Sequence, residues 1–413
     1  MNRLVLIGNG FDIAHGLKTR YEDFINWYWE DRVRGFSREY TEISKDILCT
    51  FKNLNENSWS AFAFGLPKFF NKPTGKEVIQ AIINDNLQFE VTFSPFFKNI
   101  LYSIETKKWV DIENEYYRLL TEYALKEEDE EKVKNLNQQL QLIQDKLTEY
   151  LKQINENQIK PNSEIKSKIY APFKKSDIAI SGQEALAEHV KAGLALDNKE
   201  MDYKLRQYGS SCYTSGRVDD YRKKHPDSDE IDWEVLPEEL LFPNQIMLLN
   251  FNYTNTAQSY CKAGSRFTVN HIHGKVEEPK SIIFGYGDEL DEDYKKISNR
   301  NDNTLLTNVK SIKYLEADNY RKMLAFIESE PYQVVIMGHS CGNSDRTLLN
   351  TLFEHKNCVS IKPYFYIKED GSDNYLELIQ NISRNFTDMK LMRDRVVNKT
   401  FTEPGSLTSE TRR

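Results

Sequence analysis

Glycine and polar residues follow a short apolar run at the start of the chain, in a spacing that suits phosphate binding. Leu4 to Ile7 leads directly into Gly8, Asn9 and Gly10. Apolar runs of this kind form buried parallel strands, and glycines let the next turn approach a ligand without a Cβ clash. A helix after such a turn directs its amide groups at an anion. The segment therefore predicts a pyrophosphate site in a strand-turn-helix unit.

Three further residues of this opening segment are candidates for the same nucleotide site: Asp12, His15 and Gly16. Asp12 can hydrogen-bond a ribose hydroxyl or a turn amide, but an aspartate at this place can equally cap the helix. Both roles stay open. Four of the seven histidines and eight of the 18 glycines lie within or beside apolar, strand-like runs. This distribution indicates a site assembled at the ends of strands.

A second group of candidates lies in the segments NFNYTN and HIHG of the last third of the chain. Asn252 can orient a ribose or a water molecule, while Asn250, Asn252 and Asn255 can instead cap a strand and the helix after it. A histidine at position 273 can act as a general base near neutral pH. His271 and His273 alternate along a strand and could bind a metal together, but a third ligand does not lie nearby in the sequence.

The segment IMGHSCGNSD contains the third group: Gly338, His339, Ser340 and Asp345. The glycine and the residues after it could form a second phosphate-contacting turn. His339 and Ser340 do not form a nucleophilic pair, because adjacent side chains on a strand point to opposite faces.

A parallel sheet would bring these groups together. Beyond Gln245 the apolar runs are QIMLLNFNYTNT, FTVNHIHG, SIIFGYGDE, YQVVIMGHSCGNSD and VSIKPYFYI. Their lengths and spacing predict parallel strands joined by crossovers. The predicted fold class is α/β, a Rossmann-like parallel sheet with a large, mostly helical insertion. We predict a nucleotide-binding core at 1–35 and 241–392, the insertion at 36–240, and a polar, poorly ordered tail at 393–413.

The insertion contains the clearest helical periodicity of the chain. Residues 107–159 place apolar side chains at spacings of three and four, which predicts a helical hairpin that turns near residues 127–131. Asp111, Glu113 and Glu115 suggest a carboxylate cluster within it. Alternate residues do not share a helix face, so a solvated surface is the competing interpretation.

The composition excludes several classes of protein. The net charge of −8 gives no global electrostatic footprint for nucleic acid. The five cysteines lack metal-ligand spacing and predict neither a zinc site nor a disulfide framework, which fits a reducing cytoplasm. No apolar run approaches the length of about 18 residues that spans a membrane, and the opening lacks a signal-peptide pattern. We therefore expect a cytoplasmic protein with no metal and no membrane contact.

The order of the motifs resembles the sirtuin-type NAD-binding fold, in which a Gly-Ala-Gly turn precedes an asparagine-containing strand end, a His-Gly pair and a late Gly-Thr/Tyr-Ser turn. More narrowly, the segments GNGFDIAHGLKTRYEDF, WVDIENEYY, NFNYTNT, HIHG and IMGHSCGNSD resemble the AbiH family of bacterial abortive-infection, anti-phage proteins. This narrower resemblance extends over most of the chain.

The sirtuin resemblance implies roles for individual residues. Those that match the nucleotide-contacting turns are Gly8, Gly10, Gly16, Gly338 and Ser340. Asp12 stands where sirtuins have a serine. Asn252 matches the asparagine that orients the nicotinamide ribose and a water molecule, and His273 matches the catalytic histidine. Lys18 to Tyr21 replace the sirtuin Pro-Asp-Phe-Arg segment, and the sequence has no four-cysteine zinc module, which argues against protein deacylation.

The two resemblances together imply an effector of phage defence that binds NAD or a related nucleotide and hydrolyses the nicotinamide-ribose bond. A phage-derived trigger or partner protein, or a second copy of the chain, would act through the insertion; nucleic acid is not expected. Two alternatives stay open. One is a nucleotide sensor without turnover, and the other is a metal-dependent nuclease that uses Asp12, Asp111, Glu113 and a histidine.

Overall fold

The computed structural model describes residues 1–39, 43–54, 75–84, 89–107, 111–154, 159–208, 215–226, 230–261, 266–368 and 370–405. The strands in these ranges are β1 (Asn2–Ile7), β2 (Ile43–Lys45), β3 (Cys49–Asn53), β4 (Phe89–Phe93), β5 (Ile246–Asn250), β6 (Phe267–His271), β7 (Tyr332–Met337) and β8 (Cys358–Pro363). Within the same ranges, no helix is both long enough and apolar enough to cross a membrane.

The α-helices of the described ranges are α1 (Asn9–Ala14), α2 (Tyr21–Glu39), α3 (Gly75–Asn84), α4 (Pro95–Lys107), α5 (Ile112–Thr121), α6 (Glu130–Ile154), α7 (Ser163–Ile169), α8 (Gln183–Ala195), α9 (Asn198–Arg206), α10 (Ser215–Lys224), α11 (Glu292–Ser298), α12 (Lys310–Lys313), α13 (Asn319–Ser329), α14 (Arg346–Glu354), α15 (Tyr375–Arg384) and α16 (Met389–Arg395). The chain divides into two compact units. Unit 1 comprises Met1–Leu17, Asn157–Ile282 and Tyr314–Arg413, and unit 2 comprises Lys18–Glu156 and Ile283–Lys313.

Unit 1 contains a five-stranded parallel sheet in the order β6-β5-β1-β7-β8. Every residue of β1, β5, β7 and β8 is buried. Strands buried on both faces read as continuous apolar runs, because neither face meets water. The mixed α/β class with a parallel sheet is therefore confirmed.

The path of the chain through this sheet reverses at β1. From β1 the chain continues to β5 and then to β6 on one side, and later to β7 and β8 on the other. β1 and β7 pair in register from Asn2 and Tyr332 to Ile7 and Met337, so their carboxyl ends lie side by side. Ligand crevices in open α/β sheets lie at such a reversal.

The unit boundaries differ from the predicted domain limits of 1–35, 36–240 and 241–392. Residues from Asn157 onward belong to unit 1 because they pack on the sheet: Ile165 and Ile169 of α7 lie in one apolar cluster with Val5 and Val335. Helix α2, most of which lies within the predicted core segment 1–35, belongs to unit 2.

The predicted polar tail at 393–413 also differs from the structure over its first part. The guanidinium of Arg395 is buried and donates to the carbonyl of Phe353 at 2.6 Å. The amide of Val397 donates to the carbonyl of Ile361 at 2.9 Å, which joins this segment to the edge strand β8. The polar composition of this tail therefore gives no indication that its first part packs against the rest of unit 1. Residues 406–413 lie outside the described ranges.

Unit 2 contains the antiparallel sheet β2-β3-β4 and an aromatic core. Tyr28 and Trp29 of α2 pack against Phe97 of α4, with ring centroids 5.4 and 5.2 Å apart. On another part of α2, Phe24 lies 6.0 Å from Tyr150 of α6. These contacts explain why α2 belongs to this unit.

The helices α5 and α6 of unit 2 are joined by a π-helical turn over Glu122–Glu127. Glu128 then adopts a left-handed conformation, with φ of 53°, at the place where the chain turns. The predicted strand in SIIFGYGDE does not form. Instead the amide of Gly285 donates to the carboxylate of Glu113 at 2.9 Å. Its hydrogen-bond partner is therefore a side chain of α5 and not the backbone of a neighbouring strand.

Candidate functional site

The loops after β1 and β7 meet through their glycines. The amide of Gly10 donates to the carbonyl of Gly338 at 2.9 Å, and the amide of Gly8 donates to the carbonyl of Met337 at 3.2 Å. A Cβ on Gly8 would lie 2.4 Å from the Cα of His339, and one on Gly10 would lie 2.8 Å from the Cα of Gly338. These glycines therefore permit a close contact between two backbones, in addition to any role at a ligand.

Gly16 and His15 have clear structural partners at the end of α1. Gly16 has a left-handed φ of +77° and donates to the carbonyl of Ile13, while the next amide donates to the carbonyl of Asp12, which is a Schellman cap. The Nδ1 of His15 donates to the carbonyl of Phe11 at 2.7 Å, and its Nε2 accepts from the hydroxyl of Tyr260 at 2.7 Å. Burial lowers the pKa of His15, consistent with a neutral ring that links α1 to the chain after β5.

Asn250 and Asn252 connect the carboxyl ends of three neighbouring strands. The side-chain amide of Asn252 donates to the carbonyl of Gly8 at 3.0 Å, across from β5 to β1. The side-chain amide of Asn250 donates to the carbonyl of Thr254 at 3.0 Å and lies 3.3 Å from the Nδ1 of His271, on the β6 side. Both asparagines are buried, so these bonds fix the positions of the strand ends.

Asp12 joins this network from α1. Its carboxylate is 1% exposed and accepts from the hydroxyl of Thr254 at 2.6 Å. Among the described residues, none donates a hydrogen bond to its second oxygen, Oδ1. Burial raises the pKa of Asp12 to about 6, although the nearby Thr254, Thr256 and Asn252 side chains partly oppose this shift. Buried carboxyl groups with shifted pKa values are typical of functional sites.

A second network, which we call the histidine-aspartate cluster, consists of His273, Tyr314, His339 and Asp345. The Nε2 of His273 lies 3.3 Å from the Oδ1 of Asp345 and 3.2 Å from the hydroxyl of Tyr314. The Nε2 of His339 lies 3.6 Å from the Oδ2 of the same aspartate. One carboxylate therefore stands between two imidazole rings.

The surroundings of the cluster restrict its histidines. The amide of Cys341 donates to the Nδ1 of His339 at 3.0 Å, so the proton of the neutral ring is on Nε2, toward Asp345. The ring of Phe251 contacts both histidines, with its centroid 5.2 Å from that of His273 and 4.1 Å from that of His339. His273 is 4% exposed. A buried histidine oriented by a carboxylate is the arrangement of a general base or acid.

The predicted site residues thus fall into three places. Gly8, Gly10 and Gly338 lie at the contact of two loops, and Asn252 with Asp12 forms the network at the ends of β1 and β5. His273, His339 and Asp345 form the cluster after β6 and β7. Asn9 and Ser340 are exposed at the tips of the two loops.

Tyr314 and Thr254 were missed as partners in these networks. Tyr314 lies in a polar segment, SIKYLEAD, without strand or motif spacing, and only the tertiary fold brings its hydroxyl to His273. Thr254 lies in the NFNYTN segment, and its spacing from the asparagines does not indicate that its hydroxyl group donates to Asp12.

Asp111 and Glu113, two acidic residues of the nuclease hypothesis, have other partners in unit 2, as does Glu115 of the predicted carboxylate cluster. The Nζ of Lys310 is fully buried and lies 2.8 Å from the Oε2 of Glu113. Asp111 caps α5 through the amide of Asn114, and Glu115 pairs with Arg118 at 2.7 Å. These contacts favour structural roles for the three carboxylates. Across the described ranges, no group of three or more His, Cys, Asp and Glu side chains could hold a metal ion.

The parallel sheet and the polar side chains at its strand ends define an α/β protein with its candidate site beyond those ends. The family model described as Bacteriophage abortive infection AbiH matches residues 4–366. The chain belongs to the AbiH family, and this membership implies a function in bacteriophage abortive infection. No curated protein sequence and no solved structure matches the chain. The resemblance to AbiH is therefore confirmed, while the sirtuin-like NAD-binding core stays a prediction.

Proposed function

We propose that this AbiH-family protein binds NAD at the carboxyl ends of its parallel sheet and hydrolyses the bond between nicotinamide and ribose. The observation that carries the proposal is the 3.3 Å approach of His273 to Asp345 after the end of β6. The sirtuin resemblance marks this histidine as catalytic, and Asp345 gives it a carboxylate partner. The side chains of His273 and Asp345 are 5% and 10% exposed.

The order of the strands supports a nucleotide as the ligand. Numbered along the chain within this sheet, β6-β5-β1-β7-β8 corresponds to the order 3-2-1-4-5. Rossmann-like dinucleotide-binding sheets have this order and bind their ligand where it reverses. In this chain the reversal is at β1 and β7, and the residues beyond these strands include Asn9, Asp12, Ser340 and Asp345.

In the proposed reaction, a water molecule attacks the ribose carbon bonded to nicotinamide. The carbon-nitrogen bond breaks, nicotinamide leaves, and ADP-ribose forms. His273 accepts the proton of the water, and Asp345 stabilises the imidazolium that results. Asn252, held by the carbonyl of Gly8, keeps the end of β5 next to β1, so that the ribose can be oriented there.

The glycine contacts change the expected mode of phosphate binding. Because the amides of Gly8 and Gly10 donate to the loop after β7, they cannot donate to a pyrophosphate while that contact is intact. We propose instead that the phosphates lie against the exposed residues Asn9 and Ser340 at the two loop tips.

A nucleotide sensor without turnover is the second candidate. The hydrogen bond from the side chain of Asn252 to the carbonyl of Gly8 favours the sensor, because Asn252 then has a structural role whether or not a substrate is hydrolysed. In that case the ligand would bind and neither nicotinamide nor ADP-ribose would be released. Both candidates are compatible with an effector that responds to a phage-derived partner or acts as a homo-oligomer.

Nicotinamide release from NAD by the purified full-length protein tests the proposal. We expect the His273→Ala variant to lose a factor of about 10² to 10⁴ in kcat, which is the usual contribution of general acid-base catalysis. Asp345→Asn should lower kcat with little change in KM, because Asp345 acts through His273, and Asp345→Glu should restore part of it.

His355→Gln is a matched control, since His355 also pairs with a carboxylate, Glu328, at 3.1 Å in unit 1. It should retain wild-type kcat. Stoichiometric NAD binding with no nicotinamide release by the wild-type protein would favour the sensor. Equal activity of wild type and His273→Ala would overturn the catalytic assignment.

A further inference from the structure

A cavity of about 530 Å³ lies on one face of the parallel sheet of unit 1. Arg3, Gln333, Val335 and Lys362, which lie within β1, β7 and β8, line it together with Tyr364. Arg3 pairs with Gln333, and Val335 pairs with Lys362. Since alternate residues of a strand share a face, these partners form one continuous surface. The volume is within the range of about 300–1,000 Å³ that small-molecule sites occupy.

The lining carries more buried positive charge than negative charge. Arg3, Lys168 and Lys362 are 2%, 9% and 6% exposed, whereas Asp177 is the one lining carboxylate that is similarly buried among the described residues, at 5%. Glu164, Glu403 and Lys174 also line the cavity, and all three are exposed. Lys168 and Lys362 each have a carboxylate partner at 2.8 Å, Glu164 and Asp177, whereas the hydrogen-bond partners of Arg3 are neutral. Buried charge is costly unless it is balanced, so an anionic ligand would balance the charge of Arg3.

Each cationic side chain is held in place by the protein. The guanidinium of Arg3 donates to Gln333 at 3.0 Å and to the carbonyls of Ile169 and Ala171. Its partners at hydrogen-bond distance are neutral, and burial lowers the pKa of Arg3.

The two lysines are held in a similar way. The Nζ of Lys362 donates to Asp177 at 2.8 Å. The Nζ of Lys168 donates to Glu164 at 2.8 Å and to the carbonyl of Pro404 at 2.7 Å. Positioned cations of this kind lose little side-chain entropy when an anion binds.

The cavity also has an apolar side. Val335 and Tyr364 line it and belong to the apolar cluster that includes Val5 and Ile165. The Nζ atoms of Lys168 and Lys362 lie 5.4 and 5.8 Å from the centre of the Tyr364 ring. A ligand that fits this lining combines a charged group with an apolar or aromatic group.

We propose that this cavity is a binding site for a small organic phosphate monoester. A phosphate monoester is an anion with several acceptor oxygens, so it can balance the charge of Arg3 and also accept hydrogen bonds from Lys168 and Lys362. Its ester group faces Val335 and Tyr364. The site consists of side chains of β1, β7, β8 and α7, together with Asp177 and Tyr364. It shares no residue with those proposed to hydrolyse NAD.

Phenyl phosphate is a suitable probe, because it combines a phosphate monoester with one aromatic ring, and phenol is its neutral counterpart. Isothermal titration of the full-length protein should show saturable binding of phenyl phosphate and none of phenol. The matched variants are Lys168→Gln and Glu164→Gln, which break the same surface-accessible ion pair but remove opposite charges.

Lys168→Gln should weaken phenyl phosphate binding by at least about tenfold, as expected for the loss of a charged hydrogen bond. Glu164→Gln should leave the affinity equal or increase it, and this variant decides the matter if Lys168→Gln does not fold. His273→Ala should bind phenyl phosphate like the wild type, so failure of the NAD proposal would not affect this one. Absence of saturable binding to the wild type, or equal weakening by both charge variants, would overturn the proposed site.

Discussion

Asp12 is a buried carboxyl group whose ionisation opposes folding. Its pKa is raised from 3.8 to about 6 by burial. Between these values the unfolded chain has lost the proton while the folded protein keeps it, so stability falls as pH rises through this window. A shift of this size lowers the free energy of unfolding by about 3 kcal/mol at pH values above 6, relative to its value below pH 3.8.

The Asp12→Asn variant should remove this pH dependence while it keeps an acceptor for the hydroxyl of Thr254. Urea unfolding of both proteins at several values between pH 4 and pH 7.5 measures the effect. The variant should gain stability relative to the wild type as pH rises toward 7. Parallel pH profiles for the two proteins would mean that Asp12 does not have the shifted pKa.

His271 should produce the opposite dependence. Burial, and secondarily the charge of Lys275, lower the pKa of His271 from 6.5 to about 4. Below pH 6.5 His271 therefore takes up a proton in the unfolded chain, whereas in the folded protein it stays neutral until about pH 4. The contribution of His271 to the free energy of unfolding is therefore complete above pH 6.5, and it falls by about 3 kcal/mol as the pH falls to about 4.

His271→Asn keeps an acceptor for the side-chain amide of Asn250 and cannot take up the proton. In the same urea series, its free energy of unfolding should decline less than that of the wild type between pH 6.5 and pH 4.5. A steeper decline in the variant would contradict the low pKa of His271. Because the Asp12 and His271 effects have opposite signs, the wild type alone cannot separate them.

The segments after β1 and β7 are in close backbone contact at Gly338. This residue has a left-handed φ of +74°, and a Cβ on it would lie 2.2 Å from the amide nitrogen of Phe11. Gly371 has a similar φ of +81° with no atom within 4 Å of its Cβ position. The two glycines therefore share the conformation but differ in the neighbouring backbone.

Gly371→Ala should cost about 1–2 kcal/mol for the left-handed conformation alone. Gly338→Ala should cost about 1–3 kcal/mol more, because the two loops must separate. Thermal and urea unfolding of both variants give this comparison. Equal destabilisation would show that the contact between the loops tolerates a side chain.

The elements that the sequence predicts well are those whose burial is complete. β1, β5, β7 and β8 are buried along their whole length and consist mainly of apolar residues. A run of this kind is typical of a strand in the interior of a parallel sheet. The segment from Ile282 to Gly285 has the same composition but meets Glu113 of α5 instead of a strand. Composition alone does not reveal which partner a short apolar run will meet.

The site was predictable in its residue types but not in its contacts. His273 and Asp345 are 72 positions apart in the sequence, and this spacing gives no sign that they meet. The pattern at Gly8 and Gly10 suits a phosphate turn and a close contact of two backbones equally well, since both need the same missing Cβ. Only the fold distinguishes these roles.

At the scale of the whole molecule, we connect membership of the AbiH family with one proposed chemical step, the hydrolysis of NAD. An abortive-infection effector must stop the growth of its host after infection, and hydrolysis of NAD would do so by removing a cofactor that the cell needs throughout metabolism. The histidine-aspartate cluster in unit 1 is the part of the molecule that we assign to this step.

The most direct test is the intracellular NAD concentration in bacteria that express the protein, measured before and after phage challenge. Wild type, His273→Ala, Asp345→Asn and the His355→Gln control should be compared at equal expression. We predict that NAD falls after challenge with wild type and His355→Gln, and stays at its starting level with His273→Ala and Asp345→Asn. Protection against phage by the wild type with unchanged NAD would contradict the account.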